Sequence, residues 1–316
     1  VSDTKSSPVI AIVGPTASGK STLAIEVALA INGEIINCDS VQVYRDVEVA
    51  TAKVPPSEQK GVPHHLIGFV PPEQNYTAVE WAAEATAKIS EIESRSRVPM
   101  LVGGTGFYLR ALRKPFFISP KTDAGLRRRI NAMRERRGPE YLHHVLRRID
   151  PTGAEQLHAR DWPRVQRAIE VYLQTGASIF SQREERPEPH ESSHRLRIIA
   201  LNPPRDQLYE RINQRTEEHF RAGLVEEVKT LLQRGVPPES NALGAHGYRR
   251  VVEYLQGRRS IESAIEQTKL DVRHYAKRQL TWFRREEGVE WLEAFGDETD
   301  TIIHVLGLLR PYLGLK

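Results

Sequence analysis

The chain has 316 residues, enough to bury a substantial core in one large or two modest domains. Its net charge of +4 is mild, so an anionic partner is permitted but not required. The single cysteine, Cys38, excludes an intrachain disulfide framework and a multi-cysteine zinc site, and no run approaches the ~18 apolar residues of a membrane span.

Val1–Pro8 is short and polar, without the apolar core of a secretion signal, and a cytoplasmic location is expected. Val9-Ile10-Ala11-Ile12-Val13 then reads as a buried strand, and Leu23, Val27 and Ala30 give the helix that follows an apolar face. Between them, Gly14-Pro15-Thr16-Ala17-Ser18-Gly19-Lys20-Ser21-Thr22 fits G-x-x-x-x-G-K-[ST] at every constrained position. Its glycines let backbone N–H groups converge on phosphate oxygens, Lys20 adds a point charge, and the Ser21 hydroxyl can reach a phosphate-bound Mg²⁺. These residues do not say whose phosphates are held. ATP is the default, and a small-molecule kinase the corresponding enzyme.

Glu34-Ile35-Ile36-Asn37 reads as a second strand that runs directly into Cys38 and Asp39. Ligand crevices of open α/β sheets lie outside the carboxyl ends of strands, so Asp39 is expected to face the same cleft as the phosphate loop; a turn or cap aspartate is the alternative. His64 and His65 have no further ligands at a recognisable spacing, which favours hydrogen bonding or packing over metal binding. A helix is expected over Tyr76–Arg95 with Thr77 as its cap, then a third strand, Val98–Val102, ending in Gly103-Gly104-Thr105-Gly106-Phe107-Tyr108. Three strand exits thus carry Lys20 with Ser21, Asp39, and Thr105.

Near residue 119 the pattern changes. From Lys121 to Arg167 twelve Lys and Arg face six Asp and Glu on helical periodicity, which predicts a basic helical insertion that is either solvated or bound to nucleic acid. The expected organisation is a core of residues 1–118 and 196–316 around an insertion of residues 119–195, with the polar stretch Gln182–Ser193 as a flexible connection. Leu196–Leu201 returns to strand character, and the helix after it carries Arg211 and Arg215 on one face, a pair that can clamp a diphosphate or join a neighbouring glutamate. Ser260–Glu287 reads as a helix with Ile261, Ile265, Val272, Ala276 and Phe283 on one stripe and Lys269, Arg273, Lys277 and Arg284 on the next. Tyr275 and Trp282 are placed to stack on bases.

The phosphate loop, Asp39-Ser40-Val41-Gln42-Val43-Tyr44, Thr51-Ala52-Lys53, Gly103–Tyr108 and Tyr275-Ala276-Lys277-Arg278-Gln279-Leu280-Thr281-Trp282-Phe283-Arg284 together closely resemble the tRNA dimethylallyltransferase family, over nearly the whole chain. The resemblance implies an α/β fold: a P-loop NTPase-like core with a parallel sheet flanked by helices, plus a helical insertion. It implies a monomer that moves a dimethylallyl group from dimethylallyl diphosphate to N6 of the adenine 3′ of the anticodon. Gly14 to Thr22 would then hold an isoprenoid diphosphate, with Mg²⁺ reached by Ser21.

By the same resemblance Asp39 is the general base, Thr105 sits near the bridging oxygen, and Lys20 and Arg215 neutralise the departing diphosphate. It further assigns tRNA contacts to Asp39, Ser40, Val41, Gln42, Thr105, Arg127, Pro163, Arg164, Val165, Gln166, Arg167, Gly247, Tyr248, Arg249 and Lys277–Arg284. The chain departs from the family pattern at Val54, where proline is usual, and at Gly68, where aspartate is common. Ala242–Tyr248 leaves two alignments open. The bacterial type, without a zinc-finger extension, is the closer match. An adenylate dimethylallyltransferase acting on free AMP is the nearest competing enzyme, and the basic insertion and Lys277–Arg284 argue against it.

Overall fold

A computed structural model describes residues 8–114, 120–181 and 196–313. By contact the chain divides into Val1–Arg113 with Pro189–Lys316, and Lys114–Glu188. Composition placed these borders after 118 and after 195; the expected connection Gln182–Ser193 lies outside the described residues.

The first unit is built on six parallel strands: β1 (Val9–Val13), β2 (Gly33–Asn37), β3 (His64–His65), β4 (Val98–Gly103), β5 (Leu196–Leu201) and β6 (Val289–Leu292), in the order β3-β2-β4-β1-β5-β6. Every residue of β1 and β2 is buried, as a parallel sheet covered on both faces requires. One face packs under α1 (Lys20–Ile31) and α12 (Thr299–Leu313), where Leu23, Val27 and Ile31 meet Val305 and Leu309 over Ile10, Ile12, Met100 and Ile199. Trp81 anchors α2 (Ala78–Ser94), stacked on Tyr108 of α3 (Gly106–Arg113) with its indole N–H bonded to the Asn37 carbonyl at 2.8 Å. Thr77 caps α2 through a reciprocal pair of bonds with Glu80, as its sequence predicts.

Because β1 lies between β4 and β5, the chain moves to one side of it first and to the other later. That is the topological switch point where α/β sheets open a crevice, and the phosphate loop leaves β1 at that end. Two strands escape the sequence pattern. β3 is two residues long and β6 four, too short for any periodicity to declare.

At the sheet edge Glu34, 3% exposed, accepts from His65 at 2.6 Å and Arg95 at 2.8 Å, with Arg97 at 3.5 Å. Although burial opposes ionisation, the Arg95 and His65 hydrogen bonds hold its carboxyl below the usual range. The two histidines therefore serve the sheet: His65 pairs with Glu34 and His64 with the Val62 carbonyl at 2.8 Å. Glu34→Ala leaves Arg95, Arg97 and the His65 ring without their buried carboxylate and is expected to cost about 2–3 kcal/mol by denaturant titration. An unchanged midpoint would show that the cluster adds nothing.

The second unit has α4 (Ala124–Arg137), α5 (Pro139–Ile149), α6 (Pro151–Glu155) and α7 (Trp162–Thr175) around Ile130, Leu142, Leu146, Val165 and Ile169. Its basic character lies largely on the outside, but among the described residues Arg127 and Arg167 both turn onto Glu170. Arg127 sets Nε and Nη2 on the two oxygens of Glu170, each at 2.8 Å, and that carboxylate is fully buried.

Candidate active site

A cavity of about 1290 Å³ opens at the carboxyl ends of β1, β2 and β4, lined throughout by the first unit. Its floor is the phosphate loop. Gly14 (φ 145°) and Gly19 (φ 81°) occupy backbone regions that side chains rarely adopt, and a Cβ at Gly19 would come within 2.7 Å of the Asp297 amide. Ser18 turns inward and donates to the Pro15 carbonyl at 2.8 Å, which also accepts from Lys20. The Ser21 hydroxyl, at the amino end of α1, has no partner among the described residues.

Lys20 is strongly perturbed. Burial, opposed by Asp39 and reinforced by Arg215, brings its pKa down to about 8, so the three charges sense one another. Arg215 lies on α8 (Arg205–Arg221), and burial lowers its pKa too, with only Glu218 opposing. It has no ion-pair partner among the described residues. A half-buried guanidinium and a half-buried ammonium at a helix amino end, neither ion-paired among the described residues, make a site suited to an anion. Arg211, the other half of the expected clamp, is not available: it grips Asp297 at 2.8 and 2.9 Å with its guanidinium over Phe295. His219, one turn beyond Arg215, also lines the cavity, and burial lowers its pKa to about 4.

Asp39 sits just past β2, where its Oδ1 accepts from the amides of Val41 at 2.8 Å and Gln42 at 3.3 Å. Asn37, itself buried, holds that turn from behind: Oδ1 takes the Asp39 amide at 3.0 Å and Nδ2 donates to the carbonyls of Asp39 and Leu66. Both alternatives for Asp39 are thus realised at once, since it is a turn residue and also lines the cavity. Thr105 accepts from the Ser40 amide at 3.0 Å and donates to the Ser40 hydroxyl at 3.3 Å, tying the β4 exit to the β2 exit. Gln42 anchors the wall opposite by donating to the Thr51 carbonyl at 2.9 Å.

The residues assigned to tRNA contact separate by exposure. On α11 (Ile261–Phe283) and just after it, Lys277, Arg278, Thr281 and Arg284 are exposed. Phe283 and Gln279 are buried, and Trp282 packs against Gly106 and Phe107 with the Arg110 guanidinium 4.2 Å over its ring, so it is not open on both faces for a base. Lys269 is consumed by Glu217 and Glu266. Tyr248, opening α10 (Tyr248–Leu255), is fully buried and donates to Glu227 at 2.6 Å while accepting from the Ala50 amide; Arg249 is exposed. In the second unit Pro163 and Arg164 are exposed, Val165 and Gln166 are buried, and Arg167 reaches the Pro120 carbonyl at 2.6 Å. Residues whose side chains are buried can meet a tRNA only through the surface they support.

The chain matches the family model described as IPP transferase over residues 42–286 and that described as isopentenyl transferase over residues 7–67. It is 41% identical to the tRNA dimethylallyltransferase of Solibacter usitatus (97% of this chain, 99% of that protein) and 43% identical to that of Carboxydothermus hydrogenoformans (94% and 95%). Among solved structures it is similar to the tRNA isopentenylpyrophosphate transferase of Bacillus halodurans, with TM-score 0.71 and 36% identity over 98% of this chain and 97% of that one. A eukaryotic dimethylallyltransferase solved acting on tRNA gives TM-score 0.78 at 29% identity, over 96% of this chain and 78% of that one. With a core of the P-loop NTPase type and matches spanning nearly its whole length, the chain belongs to the tRNA isopentenyltransferase family.

Proposed function

We propose that this chain transfers a dimethylallyl group from dimethylallyl diphosphate to N6 of the adenine 3′-adjacent to the anticodon of tRNA, releasing diphosphate. The carrying observation is that two half-buried cations without ion-pair partners among the described residues, Lys20 and Arg215, share one cavity with a carboxylate, Asp39, and a hydroxyl, Thr105, at the switch point of the sheet. A bond forms between N6 and the allylic carbon while the carbon–oxygen bond to diphosphate breaks and its electron pair leaves with the oxygen. N6 becomes acidic only as that bond forms, so a carboxylate aimed at its proton acts in the transition state. Asp39 takes the proton, Thr105 donates to the bridging oxygen, and Lys20 and Arg215 meet the charge growing on the leaving group.

Mg²⁺ fits this cradle in one way. Among the described residues no group of three His, Cys, Asp or Glu side chains could hold a metal, whereas the unpartnered Ser21 hydroxyl is a hard donor beside the diphosphate site. An ion carried by the diphosphate and touched by Ser21 would add charge neutralisation there. We propose a monomeric, cytoplasmic enzyme: every group given a role here lies on this chain, and no helix among the described residues is long and apolar enough to cross a membrane.

Sheet order weighs against a kinase. The neighbours of β1 end in Gly103-Gly104-Thr105 and in Leu201-Asn202-Pro203, so neither places a carboxylate beside the phosphate loop to hold a nucleotide's metal. Purified protein given labelled dimethylallyl diphosphate with unmodified tRNA or with AMP decides between prenyl acceptors: label is expected on tRNA, and label on AMP alone would overturn the proposal.

The tRNA surface has its own test. Arg284→Ala should lower the slope of log affinity against log salt by about 1, as loss of one phosphate contact does. Arg127→Ala should act differently: it leaves the buried Glu170 carboxylate with only the longer bonds from Arg167 and Gln166, so the insertion unit melts earlier and affinity falls in proportion to unfolding. A slope change for Arg127→Ala without any loss of stability would return Arg127 to the phosphate-contact set.

A further inference from the structure

Gln279 differs from the exposed residues around it on α11. It is 4% exposed, and both ends of its amide are committed to backbone groups remote in the chain. Oε1 accepts from the Thr16 amide of the phosphate loop at 2.9 Å, and Nε2 donates to the Gly104 carbonyl at 3.0 Å. The fit is close enough to dictate its neighbour, because a Cβ at position 104 would overlap Nε2. Thr105 follows directly, its own amide bonded to the Cys38 carbonyl at 3.1 Å. The β4 exit is therefore pinned on one side to the turn that carries Asp39 and on the other, through Gln279, to the phosphate loop.

We propose that Gln279 is a positioning residue whose amide sets the spacing between the phosphate loop and Thr105, and so between the cradle of the leaving group and the groups that assist its departure. This rests on the transfer reaction proposed above. The bracket is directional: the side chain must offer one acceptor to Thr16 and one donor to Gly104, and a carboxylate or a thioether cannot do both. Buried bonds of this kind hold geometry firmly, and a misplacement of about 1 Å costs about 100-fold in rate.

The test compares Gln279→Met and Gln279→Glu with the parent in full-length protein, using labelled dimethylallyl diphosphate and unmodified tRNA, with kcat expressed per folded molecule. Gln279→Met is expected to lower kcat by about 10- to 100-fold at every pH, with tRNA affinity unchanged. Gln279→Glu should lose as much at about pH 8, where an ionised carboxylate opposes the Gly104 carbonyl. Its protonated form offers one donor and one acceptor, so kcat relative to the parent should climb as pH falls towards about 5.5. Lys20 of α1, Asp39 after β2, Arg215 of α8, and Tyr275 and Arg278 of α11 are the charged or titratable groups nearby. They are common to parent and variants, so their titration divides out of the ratio. Parent-like kcat in both variants would overturn the proposal, as would losses that follow melting temperature with no recovery of Gln279→Glu at low pH. A parent that transfers no label overturns the transfer reaction itself, an outcome no variant can mimic.

Discussion

Asp39→Asn is expected to reduce transfer to tRNA by about 10³-fold while leaving tRNA affinity nearly unchanged. Asparagine is the informative replacement because Asp39 has two duties. Its Oδ1 accepts the amides of Val41 and Gln42 and so shapes the turn, and an asparagine carbonyl can accept both in the same geometry. What asparagine cannot do is take a proton from N6. Alanine would remove base and turn together, and Gln42, which holds the Thr51 carbonyl, would shift with them. The charge on Asp39 also supports the protonated form of Lys20, so its loss lowers the Lys20 pKa below about 8. Single-turnover label transfer is therefore best read below pH 7, where Lys20 stays charged, alongside tRNA titration. Turnover close to that of the parent would remove Asp39 from the role of base.

The residues to which the proposed reaction gives chemical roles were legible in the sequence because each stands at a strand exit in a run of distinctive composition. Lys20, Asp39 and Thr105 lie 19 to 85 residues apart in the chain, yet three strand–turn patterns suffice to bring them to one end of a parallel sheet. What holds them there was not legible. Asn37 and Gln279 are ordinary polar residues within a strand and a helix, and nothing local says that their amides reach Asp39 or Thr16; that depends on packing between elements up to 263 residues apart. Helical phase likewise put Arg211 and Arg215 on one face but could not foresee Asp297 claiming the first. Tyr248, Val165 and Phe283 belong to motifs that look like contact surface, and burial shows them to be its support.

Lys20→Met is expected to raise the melting temperature of the free protein at pH 7 while reducing transfer by about 10²–10³-fold or more. The two effects share one cause. Burial, with Arg215 adding to it, holds the folded-state pKa of Lys20 at about 8 against its ordinary value of 10.5. Below pH 8 the ammonium is charged in both states, and only the folded state bears its desolvation. Between pH 8 and 10.5 the unfolded chain binds more protons than the folded one, so parent stability rises with pH across that window. Methionine is of similar length and carries no charge, so the desolvation cost disappears at pH 7 and the rise from pH 8 to 10.5 is flattened. The Pro15 carbonyl that Lys20 also contacts is not orphaned, since Ser18 donates to it. In the proposed reaction the balance reverses, because a bound diphosphate would supply a counter-charge and Lys20 would then stabilise negative charge as it grows on the leaving group. Calorimetry of parent and variant at pH 7 and at about pH 9.5 checks the first half of this expectation, in the direction set by linkage. A lower melting temperature for the variant at pH 7 would mean that Lys20 already has its counter-charge in the free protein, and that the cradle is not waiting for an anion.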